Sequence, residues 1–172
     1  MRFVSLIGLS MVFLAACQEE KVYETPDPRA LSRDAIGYFC GMIVADHDGP
    51  KGQVILRETG ETLWFTSVRD TLAYTRLPEE TDPVGAIFVS DMSKAGSWEA
   101  PGEAAWMMVS EAHFVMGSTR RGGMGAPEVV PFSNAEDAKQ FVAEFGGQVV
   151  RLAQIPDDAL LGSWDNEPEV KG

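Results

Sequence analysis

One short pattern occurs twice in this chain and restricts the fold more than any other feature. Laying the sequence from Leu63 over that from Val130, without a gap, pairs Phe65 with Phe132, Thr66 with Ser133, Asp70 with Asp137 and Tyr74 with Phe141. Each copy reads as a short apolar strand running into a helix. "LWFTSVRDTLAYTRLPEE" offers Thr66 or Ser67 as N-cap and Pro78 beyond the helix end, and "VVPFSNAEDAKQFVAEFGG" offers a capped start and a glycine stop. Strand-like runs flank both copies. In the first half they are "IGYFCGMIVA", "QVILRE" after the turn "DHDGPKG", and "VGAIFVSDM"; in the second, "AAWMMVS", "AHFVMGS" and "QVVRLAQI". The shared order of strand, strand, helix, strand predicts an α+β fold of two related ββαβ units, at 34–99 and 100–162. Neither is large enough to bury a good core alone, so the two should pack together.

The N-terminus predicts where such a chain lives. Arg2 is followed by "FVSLIGLSMVFLAAC", an apolar run too short to span a bilayer. Its last four residues, Leu14-Ala15-Ala16-Cys17, resemble a bacterial lipobox, so residues 1–16 read as a lipoprotein signal and Cys17 as the lipidated residue. Residues 17–33 read as the lipidated cysteine and a polar, proline-containing tether, and 163–172 as a polar tail. Gln18 is not the aspartate that retains lipoproteins at an inner membrane. The expected location is the periplasmic side of a bacterial membrane, the outer rather than the inner. Cleavage removes Arg2 and no acid, so the formal charge moves from −12 to −13. Nucleic acid is thereby an unsuitable partner, since phosphate demands the opposite sign.

With Cys17 lipidated, Cys40 has no partner in its own chain. It lies in "YFCGMIV", one residue from Met42 across a glycine. On a strand, the period of two sends both sulfurs to the same face. Thiolate and thioether together select Cu(I) over harder ions. Against this stands the ordinary fate of a cysteine, burial as a small hydrophobe. Met92, Met107 and Met108 read as core filling. Met124 differs, because "GSTRRGGMGAPE" places it in a glycine-rich loop among charges, where a ligand role competes with simple covering of the sheet end. His113 and Met116 would point to opposite faces of one strand, so only one can share a site. His47, between Asp46 and Asp48, reads as a solvated turn residue. Arg120 and Arg121 would receive an acidic partner surface or an anion, or else fix their loop by a salt bridge.

The lipobox, "CGMIV" with "GPKGQ" after it, "LWFTSVRD", "AIFVSDM", "SWEAPGEAAWM" and above all "GSTRRGGMGAPEVVPFS" resemble the NosL family, accessory lipoproteins of nitrous oxide reductase. The likeness runs from about Gly37 to Pro156. It implies a periplasmic copper chaperone that binds one Cu(I) and supplies the catalytic copper-sulfide centre of that reductase. Its partners would be the reductase and the machinery assembling that centre. It also implies two related ββαβ units, the motif cysteine and methionine at Cys40 and Met42, and the loop methionine at Met124; His113 is a further candidate metal ligand on its side-chain chemistry alone. Many members carry a histidine or another polar residue just before the cysteine, where this chain has Tyr38-Phe39. The rival readings are a structural lipoprotein and a thiol-reactive one. An organomercurial-lyase-like enzyme would need paired cysteines, and no catalytic constellation of recognised spacing accompanies Cys40.

Overall fold

The computed structural model describes residues 23–101 and 105–162. The signal segment, Cys17 and the tail 163–172 lie outside the described residues; among the described residues no helix is long and apolar enough to cross a membrane. The first unit comprises β1 (Gly52–Leu56), β2 (Thr62–Phe65), α1 (Val68–Tyr74) and β3 (Val84–Ser90), followed by β4 (Trp106–Met108). The second comprises β5 (His113–Met116), β6 (Val130–Phe132), α2 (Ala135–Phe145) and β7 (Gln148–Val150), with α3 (Asp157–Leu161) after it. The sheets are ordered β2-β1-β3-β4 and β6-β5-β7, and all pairs are antiparallel. In each unit the first strand is therefore central, the second lies on one side, and the strand after the helix lies on the other.

The offset that aligns the repeated sequences also aligns the helix starts, one residue later than the cap pair Thr66 and Ser133 would have it. Ser67 caps α1 by accepting from the Asp70 N–H, and Asn134 caps α2 by accepting from the Glu136 N–H. The same shift that carries Phe65 to Phe132 carries Ser67 to Asn134 and Val68 to Ala135. Gly146, at φ 74°, ends α2 as a glycine stop should.

The two copies have diverged in burial. In α1, every residue except Asp70 is buried, and Val68 and Leu72 share a cluster with Val89, Met107, Phe114, Val129 and Leu160, drawn from both sheets and α3. In α2, by contrast, only Ala138 is buried. One helix thus forms the seam between the units while its counterpart covers the second sheet from outside. Met107 belongs to this core, and Met108 and Met92 pack beside smaller clusters, as core-filling methionines.

Besides the Cys40 segment described below, three segments differ from the expectation drawn from the sequence. "AAWMMVS" forms a strand, but β4 pairs with β3 and completes the first sheet. "QVVRLAQI" is a strand only to Val150; the Gln154 side chain accepts from the Arg151 N–H and closes a 3₁₀ turn, and Pro156 opens α3. Of the polar segment assigned to a tether, residues 23–31 lie against the first sheet. There the buried Gln53 amide exchanges two hydrogen bonds with the Arg29 backbone, and the Arg57 guanidinium sits 5.0 Å from the Tyr23 ring centre.

Because α1 is the seam and α2 is not, removing the two equivalent caps should have unequal effects. Each of Ser67→Ala and Asn134→Ala should cost about 1 kcal/mol in urea unfolding, with Ser67→Ala the larger loss. Equal losses would contradict α1 as the seam.

Candidate metal site

Residues 35–44 form a small hairpin, not the continuous strand expected of "IGYFCGMIVA". Ile36 and Ile43 pair as an antiparallel bridge, the Gly37 N–H donates to the Met42 carbonyl at 2.8 Å, and the Gly41 N–H donates back to the Gly37 carbonyl at 2.8 Å. Gly41 takes φ 67°, a left-handed conformation that reverses the chain and that other side chains rarely adopt. Cys40 and Met42 are therefore brought near one another by a turn and not by a strand's period of two. The hairpin attaches to β2, an edge strand: Gly37 bridges Trp64, and the Tyr38 N–H donates to the Trp64 carbonyl at 2.7 Å. The Tyr38 and Phe39 rings pack on buried Phe65 and Tyr74 with centres 5.4 to 6.5 Å apart, which fixes the hairpin tip to the core.

The Cys40 sulfur occupies the space a side chain at Gly37 would need, since a Cβ there would stand 2.6 Å from Sγ. It also lies 3.9 Å from the Thr66 hydroxyl. The thiol is free and half-buried, while Met42 and Met124 are exposed. Met124 tops a tight loop closed by the Arg121–Pro127 bridge and by the Gly122 N–H donating to the Ala126 carbonyl at 3.0 Å. Gly123 presses on the hairpin's exit, where a Cβ would come within 2.6 Å of the His47 Cβ and 2.8 Å of the Asp48 nitrogen. The loop carrying Met124 thus meets, more than seventy residues away in sequence, the segment at His47 and Asp48 that follows the hairpin of Cys40 and Met42. His47, read from sequence as a solvated turn residue, is half-buried against the Met124 loop.

Other candidates sit elsewhere. His113 opens β5 opposite Phe132, on the strand face that Val115 turns toward the α2 cluster, and no hydrogen bond joins it to the Cys40 hairpin. Met116 packs beside the main core. The Arg120 guanidinium lies over the rings of Trp98 and Phe145, at 4.5 and 5.1 Å, so ring faces fix its loop where a salt bridge was the alternative. Arg121 is exposed beside it. Among the described residues, no group of three or more His, Cys, Asp or Glu side chains converges.

Two buried ionisable side chains hold this arrangement, and the sequence reading missed both. The Lys51 ammonium donates to the carbonyls of Asp48 at 2.8 Å, Gly49 at 2.7 Å and Thr66 at 3.5 Å. Burial pushes it down to about 8, against the opposing pull of Glu128 and Asp48. Glu128 accepts from the N–H groups of Arg69 at 3.0 Å and Val129 at 2.8 Å through Oε1, while Oε2, under Gly122, has no partner. Burial pushes its carboxyl up to about 8. The available signals were slight: a lysine at the mouth of an apolar strand, and a glutamate directly before the run "VVPF".

Glu128 makes stability depend on pH in a definite direction. Its folded value stands above the ordinary 4.5, so its contribution is fully present below 4.5 and is lost as pH rises through about 8. Glu128→Gln keeps an oxygen for the Arg69 and Val129 N–H groups and removes the charge. The variant's unfolding free energy should therefore fall less than the wild type's between about pH 5 and about pH 8. Superimposable pH profiles would show that Glu128 does not titrate in this window.

Known proteins resemble this chain over most of its length. The NosL family model matches residues 28–160. A copper-binding lipoprotein NosL from Achromobacter cycloclastes is 43 % identical over 162 residues, spanning 94 % of this chain and 83 % of its own. Another from Stutzerimonas stutzeri is 32 % identical over 159 residues, spanning 91 % and 81 %. Among solved structures, the crystal structure of the copper chaperone NosL from Shewanella denitrificans superposes with a TM-score of 0.70 at 29 % identity, covering 75 % of this chain and 95 % of that one. The solution structure of apo-NosL from A. cycloclastes gives 0.50 at 45 % identity, covering 69 % and 95 %. With the family model spanning most of the chain and both relatives above 30 % identity, this chain belongs to the NosL family.

Proposed function

We propose that this chain is a membrane-anchored carrier of one Cu(I) ion, held by the sulfurs of Cys40, Met42 and Met124 and delivered for assembly of the catalytic copper-sulfide centre of nitrous oxide reductase. The observation that supports the reading is the packing of Gly123, beside Met124, against His47 and Asp48, which directly follow the hairpin carrying Cys40 and Met42. Polarizable sulfur favours Cu(I), and a set with one thiolate neutralises its single charge without surplus. His113 is not part of the proposed set. The names of the relatives support copper as cargo and describe no reaction. The lipobox supports attachment through Cys17 on the periplasmic side, at the outer membrane, with the part of the polar segment before residue 23 as the link to the globule.

Reduced full-length protein in detergent should bind one Cu(I) per chain. Losing a residue that merely hydrogen-bonds to a metal ligand already weakens a metal site by up to about a hundredfold, so Cys40→Ser, which removes the thiolate itself, should cost more than that. Met42→Leu should cost less, because a thioether is the weaker donor. Affinity should fall with falling pH as protons compete for the thiolate. Undiminished affinity in Cys40→Ser would overturn the site.

In copper-limited cells lacking the protein, the reductase should be made without its catalytic copper centre and regain it with wild type but not with Cys40→Ser. A full copper complement in the deletion strain would overturn the delivery role.

A further inference from the structure

The Cys40 hairpin exposes more apolar surface than a lone copper ligand requires. Ile36, Tyr38, Phe39, Met42 and Ile43 are 37 to 53 % exposed within eight residues of chain, and Met124 on the abutting loop is 44 % exposed. The turn is not simply loose. Tyr38 and Phe39 are held against Phe65 and Tyr74, and the Tyr38 hydroxyl donates to Glu80 at 3.1 Å. A rigid apolar patch of this kind marks a contact surface.

Its surroundings are predominantly acidic, exposed Arg33 before the hairpin and Arg121 on the Met124 loop being the exceptions. Residues 34 to 48 contain Asp34, Asp46 and Asp48 and no lysine or arginine. The Tyr38 hydroxyl pKa is raised by its hydrogen bond to Glu80 first, then by burial, then by the nearby charges of Glu80 and Asp82 from the α1–β3 connection and Glu61 from the β1–β2 turn. The nearest lysine in sequence, Lys51, is buried.

We infer that the face around the Cys40 hairpin is a docking surface for a partner protein that presents an apolar contact area inside a basic rim, and that copper is exchanged within this contact. The inference rests on the copper-carrier reading above. Charge selects among the occupants: a second copy would set one acidic rim against another, and an anionic lipid surface would be repelled in the same way. Exchange within the contact leaves copper as Cu(I). Each Cu–S bond to this chain breaks as a bond to a donor of the partner forms, and the Cys40 thiolate takes a proton from water once the ion has left.

The test uses full-length protein in detergent, loaded with Cu(I), and copper-free nitrous oxide reductase as the probe, with complex formation followed by sedimentation across a salt series. Two variants avoid the proposed ligands: Ile36→Asp in the patch, and Glu61→Lys with Asp82→Lys in the rim. Both should keep the wild-type Cu(I) affinity and melting temperature. Each should weaken the complex by about tenfold or more, and rim reversal should also remove its salt dependence. Three results would overturn the docking surface: undiminished binding by both variants, absence of any wild-type complex, or a salt-resistant homodimer of the copper-loaded chain that Ile36→Asp dissociates. Failure of the carrier reading would appear separately, as loss of Cu(I) binding by the wild type itself.

Discussion

Everything near the candidate site depends on one buried ammonium group. Lys51 stands at the mouth of β1, where its backbone N–H donates to the Ser90 hydroxyl and its carbonyl accepts from the Ser90 N–H, both at 2.9 Å. Its side chain turns back to the carbonyls of Asp48, Gly49 and Thr66. A charge taken out of water is costly unless its donors are met, and here three carbonyl acceptors meet them. The consequence is geometric. The exit of the Cys40 hairpin, the residue before the α1 cap and the edge of the first sheet are tied to one atom, and the Met124 loop rests on the hairpin exit so fixed. Glu128 completes the junction from the other unit by receiving the Arg69 N–H in the first turn of α1.

The duplication explains where function could be added. Both units keep a central first strand, a capped helix and an antiparallel return, and this frame supplies the packing. The candidate ligands lie where the units depart from each other. The segment before β1 becomes the Cys40 hairpin, whereas the segment before β5 becomes β4 of the neighbouring sheet. The link between β1 and β2 spans residues 57–61, whereas that between β5 and β6 spans 117–129 and carries Met124. Symmetry provides the core, and its two exceptions meet at the proposed copper site.

The repeated unit was legible in the sequence because local signals agreed: apolar runs of strand length, oxygen-bearing residues in register at Thr66 and Ser133, one residue before the observed caps, and Gly146 as a stop. The Cys40 hairpin was not, because "IGYFCGMIVA" has the composition of a buried strand while its conformation is decided by Gly41 and by attachment to the edge of β2. Gly41 itself was the signal, since a glycine inside a strand-like run marks a bulge, a turn or a close approach. Residues 23–31 looked like a linker because they are polar, yet Gln53, fully buried in β1, satisfies its amide on the Arg29 backbone and so seats the segment. Lys51 and Glu128 were illegible for a different reason. Their importance lies in burial and in partners distant in sequence, neither of which has a local pattern.

The account is centred on a sulfur site for Cu(I), and X-ray absorption at the copper edge tests that most directly. Full-length protein loaded with Cu(I) should show sulfur scatterers dominating the first coordination shell, with a thiolate contribution lost in Cys40→Ser and fewer sulfurs in Met124→Leu. A wild-type shell made of nitrogen and oxygen alone, unchanged in both variants, would contradict it.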